Sequence, residues 1–244
     1  MLGNQKFVSM MLVSLLGSFL NLVQAKDLKE VSLVPSMVFA PTGFDQNDNA
    51  QIVSLGYLPN TCYKTGKTSY SINHTEKHLE INFQGTVRMD GICLMVQVPY
   101  TQEINLGRLP EGNYEVYFVS ALGERVKMAV LNIAKTENSN IDEQLYMPIT
   151  DAFLENTQNA QPVLHLLGTV TNSCLRFKEV KMIQKTTSVL EVLPLAEFVE
   201  EGHCRTIQKR FELKIPILNS LKGNNLVHIR SLNGTALNLI AYFE

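Results

Sequence analysis

In this chain of 244 residues, 45% of side chains are hydrophobic, 18% are charged and the net charge is −2. That balance excludes a disordered segment, which is poor in apolar residues and rich in charge. No stretch is basic enough to make a nucleic-acid footprint either.

Residues 1–25 read as a signal peptide. Lys6 supplies the positive start, Phe7 to Leu16 form an apolar core broken only by serines, and Val23-Gln24-Ala25 places small residues where signal peptidase cuts, so cleavage is expected before Lys26. A retained membrane anchor fits less well, because Ser18 and Asn21 interrupt a stretch already short of the roughly 20 residues a span needs. An exported chain makes secretion or the periplasm the expected location.

The mature chain begins with a predicted domain over 26–134. Its first local signal is Asp45-Gln46-Asn47-Asp48-Asn49. The oxygen-bearing side chains of Asp45, Asn47, Asp48 and Asn49 are the type that surrounds a hard cation such as calcium, and the string is similar to the Asp-x-Asn-Asp-Asn linker of cadherins. The other cadherin ligands are missing, and Ala50 and Gly56 stand where a calcium-binding helical hairpin needs Gly and Glu. Asn and Asp also make good turns, the competing explanation. No other cofactor is indicated.

Next comes Gly56-Tyr57-Leu58-Pro59-Asn60-Thr61-Cys62, and further on Gly91-Ile92-Cys93. Between and beyond them, apolar residues alternate with polar ones: Leu79, Ile81 and Phe83, then Tyr114, Val116 and Phe118. Period two puts each set on one face of a strand. Turns are expected at Thr65-Gly66-Lys67, Met89-Asp90-Gly91 and Pro110-Glu111-Gly112-Asn113, where Gly and Asn allow positive φ. A polar linker, 135–144, then leads to a second domain over 145–244.

The second domain repeats the first. Gly168-Thr169-Val170-Thr171-Asn172-Ser173-Cys174 matches the first cysteine motif and Gly202-His203-Cys204 the second. Leu221, Gly223, Val227 and Ser231 continue the match at an offset of 111 or 112 residues. Phe211, Leu213, Ile215 and Ile217 alternate as a further strand, and Lys222-Gly223-Asn224-Asn225 and Asn233-Gly234 read as turns. Helical periodicity is weak, its best candidate being 151–157. Short strands at this spacing in both copies predict an all-β chain of two tandem Ig-like antiparallel β-sandwiches. Without Trp, neither copy is a true antibody-type domain.

The order Gly-x-x-x-Asn-[Thr/Ser]-Cys, then Gly-x-Cys, an apolar strand, Leu-x-x-Gly and a closing hairpin resembles uncharacterised exported bacterial proteins with tandem disulfide-linked β domains. The resemblance implies fold and export but no activity. Four cysteines allow three pairings. If each copy folded on its own before duplication, the bonds are Cys62 to Cys93 and Cys174 to Cys204, each closing a loop of about 30 residues worth about 3 to 4 kcal/mol.

No catalytic constellation emerges. Gly66-Lys67-Thr68 lacks the leading Gly of a phosphate loop. His74 and His78 do not lie in a helical pattern, and His203 beside Cys204 cannot serve a sulfur held in a disulfide. Asn73-His74-Thr75 and Asn233-Gly234-Thr235 fit the glycosylation sequon. The expected function is non-enzymatic: a protein or glycan partner bound at the cell envelope, with no nucleic acid and no membrane span in the mature chain, through loops such as 43–50, 59–67 and 84–92. The alternative is an inhibitor of an exported hydrolase, presenting a disulfide-braced loop.

Overall fold

A computed structural model describes residues 28–137, 142–156, 161–199, 202–217 and 221–243. The signal segment and its cleavage site lie outside the described residues, as do 138–141 of the linker.

The chain is all-β, with several sheets and two disulfides. The N-terminal half holds β1 (Leu28–Ser32), β2 (Met37–Phe39), β3 (Phe44–Asp45), β4 (Ala50–Leu58), β5 (Tyr63–Asn73), β6 (His78–Arg88), β7 (Val98–Gly107), β8 (Gly112–Val119) and β9 (Arg125–Ala134). The C-terminal half holds β10 (Ile149–Glu155), β11 (Val163–Asn172), β12 (Leu175–Ile183), β13 (Val189–Phe198), β14 (Thr206–Pro216), β15 (Gly223–Ser231) and β16 (Thr235–Phe243). Residues 151–155 of the stretch with the best helical pattern therefore lie in a strand, β10, because pairing with β11 outweighs a weak local preference.

Each half contains two sheets. In the first, β2-β4-β7 faces a sheet in which β5, β6, β8 and β9 lie side by side, with β1 on β6 and β3 on β9; in the second, β10-β11-β14 faces β12-β13-β15-β16. One sheet in each half is mixed, which corrects the antiparallel expectation there: β6 pairs parallel with β8, and β13 with β15, while β2-β4-β7 and β10-β11-β14 are antiparallel. Parallel neighbours require a crossover. Here the crossover is β7 or β14, which crosses to the opposite sheet before the chain returns.

The alternating residues fill the core of each half. Leu79, Ile81, Phe83, Tyr114, Val116 and Phe118 are fully buried with Ile52 and Leu131. Leu164, Leu166, Val192, Val227 and Ile229 do the same in the second half. Some strands break the alternation, because β4, β13 and most of β15 are buried on both faces. The second face lies between the halves: Phe39, Val53 and Leu55 of the first pack against Val189 and Leu226 of the second, with Met37 and Ile240 at the margin.

Turn chemistry follows the sequence at Gly91, Gly112 and Gly223, all at positive φ, and at Asn233, whose φ of 65° closes the β15–β16 hairpin through a short 3-10 turn. Thr65-Gly66-Lys67 is instead a bulge inside β5, where the register slips between Thr65 and Thr68.

Candidate functional site

Two disulfides, Cys62–Cys93 and Cys174–Cys204, each tie the end of the strand pair leading into the cysteine motif to the loop that follows the next hairpin. The surrounding hydrogen bonds explain the Asn-[Thr/Ser]-Cys motif. The Asn60 carboxamide oxygen accepts the Cys62 amide at 2.9 Å, and Asn172 accepts that of Cys174 at 2.9 Å. Thr61 clamps the residue after the second cysteine from both sides: its hydroxyl accepts the Leu94 N–H at 2.9 Å, and its own N–H donates to the Leu94 carbonyl at 3.2 Å. Ser173 holds Arg205 the same way, at 2.8 and 3.0 Å.

The leading glycine of the motif is explained by close approach. Gly56 pairs with Tyr100 and Gly168 with Phe211 on the neighbouring strand, and each aromatic ring lies over its glycine. A Cβ on Gly56 would sit 2.3 Å from the Tyr100 ring; one on Gly168 would sit 2.6 Å from the Phe211 ring and 2.0 Å from the Pro148 carbonyl oxygen. Only hydrogen fits.

The two frames present different surfaces. The first carries a row of exposed apolar side chains: Met89 at 64%, Ile92 at 92%, Leu94 at 65%, Met95 at 85% and Val96 at 52%. Their backbone is fixed by the disulfide, by Thr61 and by the Arg88 guanidinium, which donates to the Ile92 carbonyl at 3.4 Å. An apolar run here reads as a strand in sequence, yet β7 begins only at Val98. The matching place in the second frame shows solvent Gly202, His203 and Arg205 instead. Of the loops expected to carry function, 59–67 and 84–92 contribute their outer parts to the first frame, while 63–67 and 84–88 are strand.

Loop 43–50 exposes only Gly43 and Asn49 and closes a clasp between the halves. Asp48 is buried, and its carboxylate accepts a hydrogen bond from the Arg230 guanidinium of β15. Arg230 also reaches Asp142 at 3.4 Å and lies over the rings of Phe44 and Tyr146, at 5.6 and 5.8 Å. Burial pulls the guanidinium toward neutrality, but Asp48, with Tyr146 and Asp142, more than compensates and holds it above its ordinary value. Asp142, in the linker, accepts the Gly234 N–H at 2.8 Å, and burial pushes its carboxyl up. Close by, Thr42 donates to Glu191, whose carboxyl burial also raises, and His228 packs edge-on to Phe44. Burial pushes the His228 imidazole down to about 4.

Three of the four residues considered as calcium ligands, Asp45, Asn47 and Asp48, are thus turned toward protein partners. Asp48 Oδ2 accepts the Asp45 N–H at 2.9 Å, Asp45 Oδ1 accepts the Asn47 N–H at 2.7 Å, and the Asn47 carboxamide donates to Thr136 at 2.9 Å; Asn49 is exposed. Among the described residues no group of three or more His, Cys, Asp or Glu is able to hold a metal ion.

His74 contacts Tyr114 at 3.4 Å, while His78 lies near Glu76 and Glu115, so the two histidines do not converge. Nothing in the sequence pointed to His165, a buried histidine stacked on Phe153 with one ring nitrogen 2.8 Å from Glu155 and the other 2.6 Å from Glu212. Both carboxylates come from neighbouring strands, a proximity set by register alone.

Among the described residues no helix is long and apolar enough to cross a membrane. No curated protein matches the chain, and no solved structure does. Residues 53–126, the stretch from within β4 to the start of β9 that contains the first disulfide frame, match the family described as the ORF11 beta-sandwich domain.

Proposed function

We propose that the protein is an exported, non-catalytic tandem of two duplicated, Ig-like β-sandwiches, bounded as 26–134 and 145–244, that holds a protein partner through the loop 89–96. The duplication is supported by the same order of antiparallel, parallel and antiparallel pairs in β5-β6-β8-β9 and β12-β13-β15-β16. Two disulfides favour an oxidising compartment.

The observation that carries the binding reading is the cluster of five exposed apolar side chains at Met89, Ile92, Leu94, Met95 and Val96. Scattered single apolar residues need no explanation, but a contiguous group on a fixed backbone costs solubility and marks an interaction site. Because the disulfide and Thr61 already hold the loop, little conformational entropy is lost on binding. The chemistry favours a protein with an apolar recess over a glycan. The loop offers no aromatic face and only Asp90 as a charged side chain, whereas sugar hydroxyls call for polar partners and flat rings.

A photo-reactive side chain at position 95 of the exported full-length chain tests this. One partner should be captured, and capture should be lost in Ile92→Asp while persisting in Leu122→Asp, a control at an equally exposed apolar residue outside the loop. Equal capture by both variants overturns the assignment.

A further inference from the structure

The two disulfide frames share a backbone and differ in access. In each, the first cysteine is buried, Cys62 in one and Cys174 in the other. The second cysteines part company: Cys93 is half-buried, whereas Cys204 is exposed. The first frame is covered. β1 runs beside the end of β6, with Leu28 opposite Arg88. The Arg88 guanidinium lies 3.9 Å from the Cys62 sulfur, and a Cβ on Gly91 would stand 3.0 Å from it.

The second frame has neither cover. The end of β13 at Phe198 pairs, among the described residues, with β12 alone. Val199 stands where the first copy has Arg88, and a Cβ on Gly202 would meet nothing within 4 Å. Gly202, His203, Cys204 and Arg205 are all exposed. Flanking chemistry differs as well. Gly91-Ile92-Cys93-Leu94 is apolar, while Gly202-His203-Cys204-Arg205 sets a guanidinium next to the exposed cysteine, with Glu201 and Glu200 three and four positions away.

A disulfide opens when a thiolate attacks one of its sulfurs, at a rate set by access to that sulfur and by the charge around it. From outside, the sulfur within reach is that of Cys204, and the permanent positive charge of Arg205 beside it favours an attacker that is itself negative. We propose that the Cys174–Cys204 disulfide is a thiol-exchange site, which takes up a small anionic thiol on Cys204. The incoming thiolate supplies the electron pair of a new S–S bond to Cys204. The Cys174–Cys204 bond breaks, and Cys174 leaves with its electron pair as a thiolate that takes a proton from water. One disulfide replaces another, so no oxidant is consumed. Ser173 keeps the opened frame assembled through its two hydrogen bonds to the Arg205 backbone. Cys174 therefore stays beside Cys204, placed to attack it in turn and expel the small thiol.

The exported chain, kept native, is treated with mercaptoethanesulfonate or with uncharged mercaptoethanol, quenched by acid and alkylation, and mapped by peptide mass. Cys174–Cys204 should open about tenfold faster than Cys62–Cys93 or more, with the adduct on Cys204 and the free thiol on Cys174. Arg205→Leu, which installs the residue of the first frame, should lower the preference for the sulfonate over mercaptoethanol by about threefold. Raising the ionic strength on the unaltered chain should erase the same preference. Melting curves check that the variant folds, and the salt series stands whether or not it does. Equal opening of the two disulfides overturns the proposal, as does an adduct carried by Cys174. So does a thiol preference that neither Arg205→Leu nor salt changes. Opening that accelerates with urea in step with unfolding would also overturn it, because the bond would then be reached only in the unfolded chain.

Discussion

Removing the Asp48 carboxylate is the sharpest probe of how the halves are joined. The Arg230 side chain is 11% exposed and that of Asp48 4%, so Asp48→Asn leaves a guanidinium in a site with little water. Breaking a buried pair from one side costs about 3 to 5 kcal/mol. Asp142, 3.4 Å from the same nitrogen, remains as a weaker partner and brings the expectation to the lower end, about 3 kcal/mol. The amide introduced by Asp48→Asn can still accept the Asp45 N–H, so the loop turn itself survives. Arg230→Met should be similarly costly, since it strands Asp48 and Asp142 together. The double variant should recover most of the loss, with a coupling of about 2 kcal/mol or more in a double-mutant cycle. Urea unfolding followed by circular dichroism measures all four species. A cost below about 1 kcal/mol for Asp48→Asn, or strict additivity in the double variant, would refute the clasp. The same samples decide the calcium question: melting curves with calcium and with EDTA should superimpose, because the carboxylate is committed to Arg230. A calcium-dependent rise that Asp48→Asn abolishes would give the loop to a cation instead.

Three further outcomes are expected. Gly168→Ala should destabilise more than Gly56→Ala in thermal melts, because the new methyl meets the Pro148 backbone as well as a ring, whereas Tyr100 can swing aside. His228 stays neutral in the folded chain down to about pH 4, while the unfolded imidazole takes up a proton near its ordinary value. It therefore lowers stability as pH falls from about 6.5 to about 4, by about 3 kcal/mol across the window. The raised carboxyls of Glu191 and Asp142 act in the opposite sense, gaining relative stability as pH falls, so the clean observable is a difference: His228→Gln should flatten the slope of stability between about pH 6.5 and 5 by about one proton relative to wild type. Replacing both Cys62 and Cys93 by Ala should cost about 3 kcal/mol in urea unfolding and make the 89–96 loop the first site of limited proteolysis.

Much of the fold was legible because period-two burial writes itself into sequence. Leu79, Ile81, Phe83, Tyr114, Val116 and Phe118 alternate, and all six are fully buried. What could not be read is what depends on a second surface. β4 and β13 are apolar on both faces because another sheet covers them, and no local pattern distinguishes that from a buried helix segment. The partnership of Asp48 with Arg230 spans 182 residues of sequence, so the sequence offered a turn or a cation site for the acidic loop and no sign of the arginine that pairs with Asp48. The cysteine motifs located the disulfide frames. The apolar residues after Cys93, however, read as part of a strand, because exposure is a property of the neighbours and not of the residues.

The double burial of β4 has a consequence for how this chain lives and dies as a folded object. Phe39, Val53 and Leu55 are covered only while the C-terminal half stands against them, so each half, although it holds a core of its own, bares an apolar sheet face when the other is absent. Melting should appear in calorimetry as one transition spanning the whole chain. Either half produced alone should collect on itself through its stripped sheet, as should a nascent first half waiting for the second to emerge.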